Sequence, residues 1–277
     1  MILALFIIFS LFGLLFLFFI YKFGIKFLKN KLYYFPYKEH IFEKPSNEIE
    51  DIYIPFQSRN FLGKMIEGNL HGWLYRPEEY ENKSLIFFCH GNAGNISYRI
   101  DIINKLLRLK QPFFIFDYKG FGESDGETII NSTYEDAEIC YKYLRDELKV
   151  DCDVVSVGES IGAFPASKLA LNMGLKRLIL IGGINSISMV VNEKFPIKLL
   201  GLIVKGDLDV GEVLKDFNGK LMIIHSKTDE VVSFNNALKN KEVCGKDNVE
   251  LVEASGSHNN MVYDVVVIEK FLDWFTN

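Results

Sequence analysis

The sequence predicts an α/β fold, in which a mostly parallel eight-stranded sheet carries helices on both faces and follows one N-terminal transmembrane helix. Three observations support this prediction. Short apolar, β-branched runs alternate with helical patterns over residues 45–277. A serine between two glycines stands at a strand-to-helix junction. The first 21 residues form an uncharged apolar run.

The predicted elements alternate along the chain as they do in βα units. Strands are predicted near residues 49–57, 65–76, 84–89, 112–117, 153–157, 176–182, 220–225 and 248–254. Helices are predicted near residues 96–110, 132–149, 161–173, 234–244 and 261–276. We expect the first two strands to form an antiparallel pair. Functional groups of such a sheet collect at the carboxyl ends of its strands.

Residues 1–21 contain no charged side chain and consist mainly of Leu, Ile and Phe. Such a run is long enough to cross a bilayer. A cleaved secretory signal peptide would show a basic start, a shorter apolar core and a small-residue cleavage site, which this sequence lacks. We therefore predict an uncleaved signal-anchor at 1–21, a juxtamembrane segment at 22–44 and one folded domain at 45–277.

The segment after the predicted anchor is rich in lysine and aromatic residues, which suits an interface with anionic lipid. It contains Lys22, Lys26, Lys29, Lys31, Tyr33, Tyr34, Phe35 and Tyr37. Because the lysine excess lies on the carboxyl side, the positive-inside rule predicts a domain that faces the cytosol. Glycosylation tripeptides at Asn82, Asn95 and Asn131 would instead suit a luminal domain, although such tripeptides also arise by chance.

Composition argues against several other classes of protein. The net charge of −5 argues against a nucleic-acid partner, which would need clustered Lys and Arg. The four cysteines have no paired spacing, so we expect free thiols rather than a disulfide framework or a zinc site. We expect no cofactor and no metal. The sequence makes no prediction of the oligomeric state.

The serine at position 160 lies in Gly158-Glu-Ser-Ile-Gly162, between the apolar run 153–157 and the helical pattern 161–173. A strand, a turn and a helix in this order form the context of a nucleophile elbow, where a strained turn exposes the serine hydroxyl. Glycine on both sides lets the chain turn without a Cβ clash. The alternative is an ordinary glycine-bounded turn, and the context favours the elbow.

A serine nucleophile needs a histidine base and an acid. Asp229 follows the predicted strand 220–225 in a polar loop, and His258 follows the last predicted strand. Glu230 is a competing carboxylate beside Asp229. The order Ser160, Asp229, His258 is the order that α/β hydrolases use.

These residues would have distinct roles in acyl transfer. His258 would take the hydroxyl proton of Ser160 as general base, while Asp229 would fix the imidazole tautomer and stabilise the imidazolium. Ser160 would form an acyl-enzyme that water hydrolyses. The plainer alternatives are a surface-loop histidine and a turn-forming aspartate.

The backbone amides of Ile161 and Asn92 are the predicted oxyanion hole. Ile161 directly follows the nucleophile, and Asn92 lies in the glycine-punctuated loop 90–95 after the strand 84–89. Ala93 is the alternative second donor. We predict that His90 holds this loop and is not the base, because the base should follow the acid in sequence.

Five blocks of this sequence resemble those of the α/β-hydrolase domain-containing proteins. They are His90–Asn95, Asp117–Gly126, Gly158–Gly162, His225–Val232 and Gly256–His258. The resemblance covers roughly residues 45–277 and is greatest to the single-pass membrane type, similar to α/β-hydrolase domain-containing protein 13. It implies the α/β-hydrolase fold, with the nucleophile on Ser160, the acid on Asp229 and the base on His258. Where family members often carry arginine, this chain has Glu159, which places a negative charge beside the nucleophile. The sequence does not determine the electrostatics at this position.

Residues 184–218 are the expected position of a short cap. Its apolar patches at 189–191 and 199–204 would either cover an acyl chain or pack on the core. A short cap implies an open site that suits a bulky or membrane-presented substrate.

We therefore predict a membrane-anchored serine hydrolase of the carboxylic-ester class, EC 3.1. Its partners would be the lipid bilayer and a lipid-like ester or acylated protein, whose ester or thioester bond it cleaves. The alternatives are an acyltransferase or peptidase on the same fold, and a catalytically silent membrane-bound interaction module. A silent relative would commonly lack the serine or the histidine, and both are present here.

Overall fold

The computed structural model describes residues 11–13, 15–16, 24–25, 27–130, 132–195, 198–245, 247–261, 264, 270 and 274, with only the backbone described at 198 and 199. Most of the predicted anchor, residues 1–21, and most of the predicted helix 261–276 lie outside these residues. Within the described residues, no helix combines the length and the apolar character needed to span a bilayer.

An eight-stranded sheet forms the centre of the fold, with strand order β10-β9-β8-β7-β4-β6-β3-β2. The described strands are β1 Phe35–Pro36, β2 Ile49–Arg59, β3 Met65–Tyr75, β4 Leu85–Cys89, β5 Ala93–Gly94, β6 Phe113–Phe116, β7 Val154–Glu159, β8 Arg177–Ile181, β9 Lys220–Ser226 and β10 Val249–Ala254. Pairings β2 to β3 and β3 to β6 are antiparallel, and the others in this sheet are parallel. The predicted mostly parallel sheet with an antiparallel start is confirmed.

The central strands are apolar throughout because both faces of the sheet are covered. In β4 all five residues are buried. Leu85, Phe87 and Cys89 enter one hydrophobic core, and Ile86 and Phe88 enter the other. Since successive side chains point to opposite faces, one strand supplies both cores.

Helices cover both faces of the sheet, as the sequence predicts. Between residues 35 and 261, the described helices are α1 Ile100–Arg108, α2 Ser132–Asp146, α3 Ala163–Asn172, α4 Ile187–Lys194, α5 Lys198–Ile203, α6 Val210–Asp216 and α7 Phe234–Cys244. Helix α1 contributes Ile103 and Leu106 to one core, while α2, α3, α6 and α7 pack in the other. Short 3₁₀ turns occur at Tyr80–Asn82, Ile96–Arg99 and Ser160–Gly162. The four cysteines are buried and form no disulfide within the described part of the chain.

The interval predicted as a cap, residues 184–218, divides into two parts. Helix α5 carries exposed apolar residues, of which Leu202 is 65% exposed, and Phe195, just after α4, is 54% exposed. Helix α6 belongs to the core, where Val210 and Leu214 are fully buried. Helix α6 therefore packs on the core, while the exposed apolar residues of the interval are Phe195, Leu200 and Leu202. The cap at 184–218 stays a prediction, because an amphipathic lid helix and a core helix have the same apolar pattern.

The juxtamembrane residues form part of the folded domain. Residues 27–33 are helical, and Tyr33 and Tyr34 are buried in the main core. Strand β1 then pairs in parallel with β5. Two of the aromatic residues predicted at the membrane interface, Tyr33 and Tyr34, are therefore core residues, and the boundary at residue 45 stays a prediction.

Candidate active site

Ser160 lies in a strained turn between β7 and α3. Its φ is 54°, in the left-handed region that residues with a Cβ rarely adopt. Such a conformation costs about 1–3 kcal/mol and persists only where the surrounding structure holds it. This geometry is that of a nucleophile elbow.

Glycine is required on both sides of Ser160. A Cβ built on Gly158 would lie 2.5 Å from the carbonyl oxygen of Gly162. A Cβ built on Gly162 would lie 2.2 Å from the carbonyl oxygen of Cys89. Both contacts are with backbone atoms, which cannot move aside as a flexible side chain can. The two glycines thus allow β7, the turn and the end of β4 to approach closely.

Ser160, His258 and Asp229 form one hydrogen-bonded row. His258 Nε2 lies 3.0 Å from Ser160 Oγ, and His258 Nδ1 lies 2.7 Å from Asp229 Oδ2. The Asp229 side chain is fully buried and that of His258 is 10% exposed. The three residues follow the carboxyl ends of β7, β9 and β10, so the parallel sheet brings together positions that are far apart in sequence.

The electrostatics of this row favour proton removal from Ser160. Burial would raise the pKa of Asp229, but hydrogen bonds from His225, His258 and the Val232 amide hold it far below its usual range. An ionised carboxylate only accepts hydrogen bonds, so Nδ1 of His258 carries a proton. Nε2 then offers a lone pair to the Ser160 hydroxyl. The arrangement is therefore capable of general-base and nucleophilic chemistry.

The two neighbouring acidic residues have different partners. Asp229 uses Oδ1 to accept the amides of Val231 and Val232, at 2.9 and 2.8 Å, and Oδ2 to contact the imidazole. Glu230 Oε2 accepts the backbone amide of His258 at 3.1 Å. The carboxylate of Glu230 therefore contacts the main chain of His258, and that of Asp229 contacts its ring.

His225 is a member of the site that the sequence analysis treated only as the end of a strand. Its ring is fully buried, with Nε2 2.9 Å from the carbonyl oxygen of Val232 and 3.3 Å from Asp229 Oδ2. Because a carbonyl oxygen only accepts, Nε2 carries the proton. His225 therefore supports the acid. The sequence does contain a signal for this role. His225 lies at the end of a buried strand, four residues before Asp229, which follows in the turn.

The loop that contains the predicted second oxyanion donor lies beside Ser160. A Cβ built on Gly91 would lie 3.4 Å from the Ser160 Cβ. The Gly91 amide is occupied, since it donates to Glu159 Oε2 at 3.1 Å. In the described part of the chain, the amide of Asn92 has no loop, turn or side-chain acceptor. Asn92 and Ile161 therefore remain the predicted donors.

Glu159, the acidic residue beside the nucleophile, forms an ion pair with Arg99. Arg99 Nε donates to Glu159 Oε2 at 2.8 Å, and Arg99 Nη1 donates to the Ala93 carbonyl oxygen at 3.0 Å. Burial would raise the pKa of Glu159, but the adjacent guanidinium holds it below its usual value. The charge of Glu159 is thus offset by Arg99, and the pair ties the elbow to the loop 90–95.

His90 holds this loop from within. Burial lowers the pKa of His90 to about 4, so its ring is neutral. Its Nδ1 donates to the Gly91 carbonyl oxygen at 2.8 Å, and the Tyr118 hydroxyl donates to the His90 carbonyl oxygen at 2.9 Å. These contacts give His90 the loop-holding role that the sequence predicts.

One other cluster places metal-ligating groups together. His40, His71 and Glu123 each offer a ligand atom, all within 4.8 Å of one another. However, His40 lies 3.6 Å from both Asp117 Oδ2 and Glu123 Oε1. A protonated His40 therefore offsets part of the negative charge of these two carboxylates, and we assign the cluster a structural role.

The His40 cluster predicts a pH-dependent contribution to stability. The nearby Asp117 carboxylate raises the pKa of His40, burial opposes this, and the charges of Glu123 and Asp51 add to the increase. Protonated His40 therefore stabilises the fold fully below the unfolded-state value of about 6.5, and this stabilisation is lost as pH rises through the folded-state pKa. Urea unfolding should show a larger difference between wild type and His40→Gln at pH 6 than at pH 9. An equal difference at both pH values would contradict this assignment.

Comparisons with known proteins agree with the architecture. A family model described as alpha/beta hydrolase fold matches residues 84–212. An uncharacterised protein of Acanthamoeba polyphaga mimivirus is 28% identical over 276 residues, which cover 90% of this chain and 93% of that protein. Human alpha/beta hydrolase domain-containing protein 17B is 25% identical over 203 residues, which cover 73% of this chain and 69% of that protein. An esterase of Pyrococcus furiosus superimposes with a TM-score of 0.67 at 17% identity, covering 88% of this chain and 98% of the esterase.

The chain therefore has the α/β-hydrolase fold. The matched range 84–212 includes Ser160 and the loop 90–95 but ends before Asp229 and His258. The candidate roles of Asp229 and His258 therefore rest on the distances described above and not on this match.

Proposed function

We propose that this chain, which has the α/β-hydrolase fold, is a membrane-anchored serine hydrolase. It cleaves carboxylic ester or thioester bonds of lipid-like or lipidated substrates. Ser160 is the nucleophile, His258 the general base and Asp229 the acid that orients it. Water then hydrolyses the acyl-enzyme, and no metal or cofactor takes part.

The observation that carries the proposal is the row of contacts from Ser160 through His258 to Asp229, at 3.0 and 2.7 Å. Both distances are those of good hydrogen bonds. Ser160 is held at a positive φ, and Asp229 is buried and ionised. A buried aspartate, an oriented imidazole and a strained serine together serve nucleophilic acyl transfer better than they serve stability.

The similarity to the Pyrococcus furiosus esterase supports the choice of ester chemistry. Ester and thioester carbonyls both proceed through a tetrahedral intermediate whose oxyanion needs two donors. The backbone amides of Ile161 and Asn92 are the proposed donors. The proposal includes the more specific resemblance to the single-pass membrane type, similar to α/β-hydrolase domain-containing protein 13. That resemblance rests on the sequence blocks together with the predicted anchor.

Membrane association is proposed from the N-terminal sequence and from exposed apolar residues after it. Phe27, Leu28 and Leu32 are 52%, 58% and 68% exposed. Exposed apolar side chains beside an apolar run suit burial in the lipid interface. With the lysine excess on the carboxyl side, the catalytic domain would face the cytosol, where it meets lipids and acylated proteins of that leaflet.

The proposal predicts turnover of both bond classes by the full-length protein in lipid nanodiscs. An oxyester and a thioester with the same octanoyl chain would be compared, each with the Ser160→Ala variant as the background. We expect hydrolysis that depends on Ser160, because both carbonyls fit the same attack geometry. Hydrolysis of neither bond by folded wild type would contradict the proposal and favour a catalytically silent interaction module.

The same experiment separates hydrolysis from acyl transfer. Adding a competing alcohol or amine acceptor and identifying products by mass spectrometry shows where the acyl group goes. Free acid as the main product supports a hydrolase. Acyl ester or amide as the main product would instead support an acyltransferase with the same three residues.

A further inference from the structure

A short stretch between the predicted anchor and the sheet runs along the loop that flanks Ser160. This stretch, residues 35–41, is called the strap below. Phe35 and Pro36 pair in parallel with Ala93 and Gly94. Further along, the Ile41 amide donates to Ser97 Oγ at 3.1 Å. The strap therefore contacts the loop along most of its length.

Asn95 makes the central contacts between strap and loop. It is fully buried, and its Nδ2 donates to the carbonyl oxygens of Tyr37 and Glu39 at 3.0 and 2.8 Å. Its Oδ1 accepts the amide of Ser97 at 3.0 Å and also the Ser97 hydroxyl. One amide group thus caps the turn that starts helix α1 and holds the strap. Its full burial also makes Asn95 inaccessible to glycosylation in the folded domain.

Asn92, whose backbone amide is the predicted oxyanion donor, is held by the strap through its side chain. Asn92 Oδ1 accepts the backbone amide of Phe35 at 3.1 Å. On the opposite side, Arg99 and Glu159 bind the Ala93 carbonyl and the Gly91 amide. The loop contains two glycines, one of them Gly94 at φ +83°, so its conformation depends on such external contacts.

We propose that the strap is a positioning element of the active site, and that Asn95 is the residue through which it fixes the Asn92 amide toward the oxyanion. This inference rests on the proposed function. Because residues 27–33 lead directly into the strap, the chain that follows the predicted anchor completes the catalytic domain. A domain cut at residue 45 would lack the strap and would have a poorly formed oxyanion hole.

The substitution Asn95→Asp tests this inference. Aspartate keeps an oxygen for the Ser97 amide, and it is as good a helix cap as asparagine. It removes the Nδ2 donor and places a carboxylate oxygen against the two strap carbonyls. We expect kcat for a short soluble ester to fall about 10- to 100-fold with little change in KM, because the loss concerns a donor to the transition state.

A second variant tests the contact between strap and loop independently, and a control variant changes a contact elsewhere. Asn92→Ala removes the bond to Phe35 at a partly exposed position and retains the backbone amide, so it is expected to fold and to lower kcat in the same way. Lys239→Met removes a surface ion pair outside both the strap and the loop, the 2.8 Å contact with Glu242 on helix α7, and should keep wild-type kcat. Hydrogen exchange of the peptide spanning residues 90–97 should accelerate in the first two variants only.

The outcomes distinguish this inference from the function on which it rests. Unchanged kcat and unchanged exchange in folded Asn95→Asp and Asn92→Ala, beside an active wild type, would overturn the strap's role alone. A folded wild type without turnover that depends on Ser160 would overturn the proposed function, and this inference with it. A fall in kcat in both variants, with Lys239→Met unaffected, is the result that we expect.

Discussion

Ser160→Ala is expected to lower kcat for ester hydrolysis by about 10⁵- to 10⁶-fold, the range seen when a serine nucleophile is removed from a serine hydrolase. The hydroxyl oxygen that attacks the carbonyl is lost, and the His258 imidazole is left without the proton that it removes. His258→Ala should have an effect of similar size. The double variant should be little worse than either single variant, since the two side chains act as a unit.

Ser167→Ala is the matched control for this experiment. Ser167 lies in helix α3, seven residues after the nucleophile, and is fully buried. Its Oγ has no hydrogen-bond partner among the described residues, so its removal should cost nothing in activity or folding. Wild-type activity in Ser160→Ala, or equal losses in the two variants, would contradict the assignment of the nucleophile.

Asp229→Asn is expected to lower kcat by about 10⁴-fold while the fold is retained. An asparagine amide offers His258 Nδ1 no negative charge and favours the wrong imidazole tautomer. The substitution would also remove the ionised carboxylate that His225 Nε2 contacts. Steady-state kinetics at neutral pH measures the effect, and thermal unfolding reports whether the variant is folded.

Glu230→Gln is the matched comparison for this variant. Among the described residues, the Glu230 carboxylate accepts the backbone amide of His258, and a glutamine oxygen can still accept that bond. Its loss of kcat should therefore be far smaller than that of Asp229→Asn. A larger loss for Glu230→Gln would reverse the assignment of the acid.

The strand pattern could be predicted because each central strand is buried on both faces. Runs such as 220–225 and 248–254 are apolar and β-branched, and the structure places strands at Lys220–Ser226 and Val249–Ala254. The three residues of the row are predicted from their positions after such strands, and the structure places their side chains within hydrogen-bond distance. Their separation in sequence did not matter, since parallel strands end at one edge of the sheet.

The contacts that hold the site could not be predicted in this way. Arg99 and Glu159 are 60 positions apart, and Asn95 is 58 positions from Tyr37. No periodicity links such pairs, because their proximity results from loop paths over the sheet edge. The aromatic residues Tyr33 and Tyr34 were interpreted as lipid-facing because a pattern shows apolar character and not the partner that buries it.

The measurement that tests the central claim most directly is the site of covalent labelling by a fluorophosphonate in folded wild-type protein. Trypsin should release residues 150–168 as one peptide, which contains Ser156, Ser160 and Ser167. Fragment spectra then assign the phosphonate to one of these serines. The account predicts a stoichiometric adduct on Ser160, lost in His258→Ala. An adduct on another serine, or no adduct on the folded protein, would contradict it.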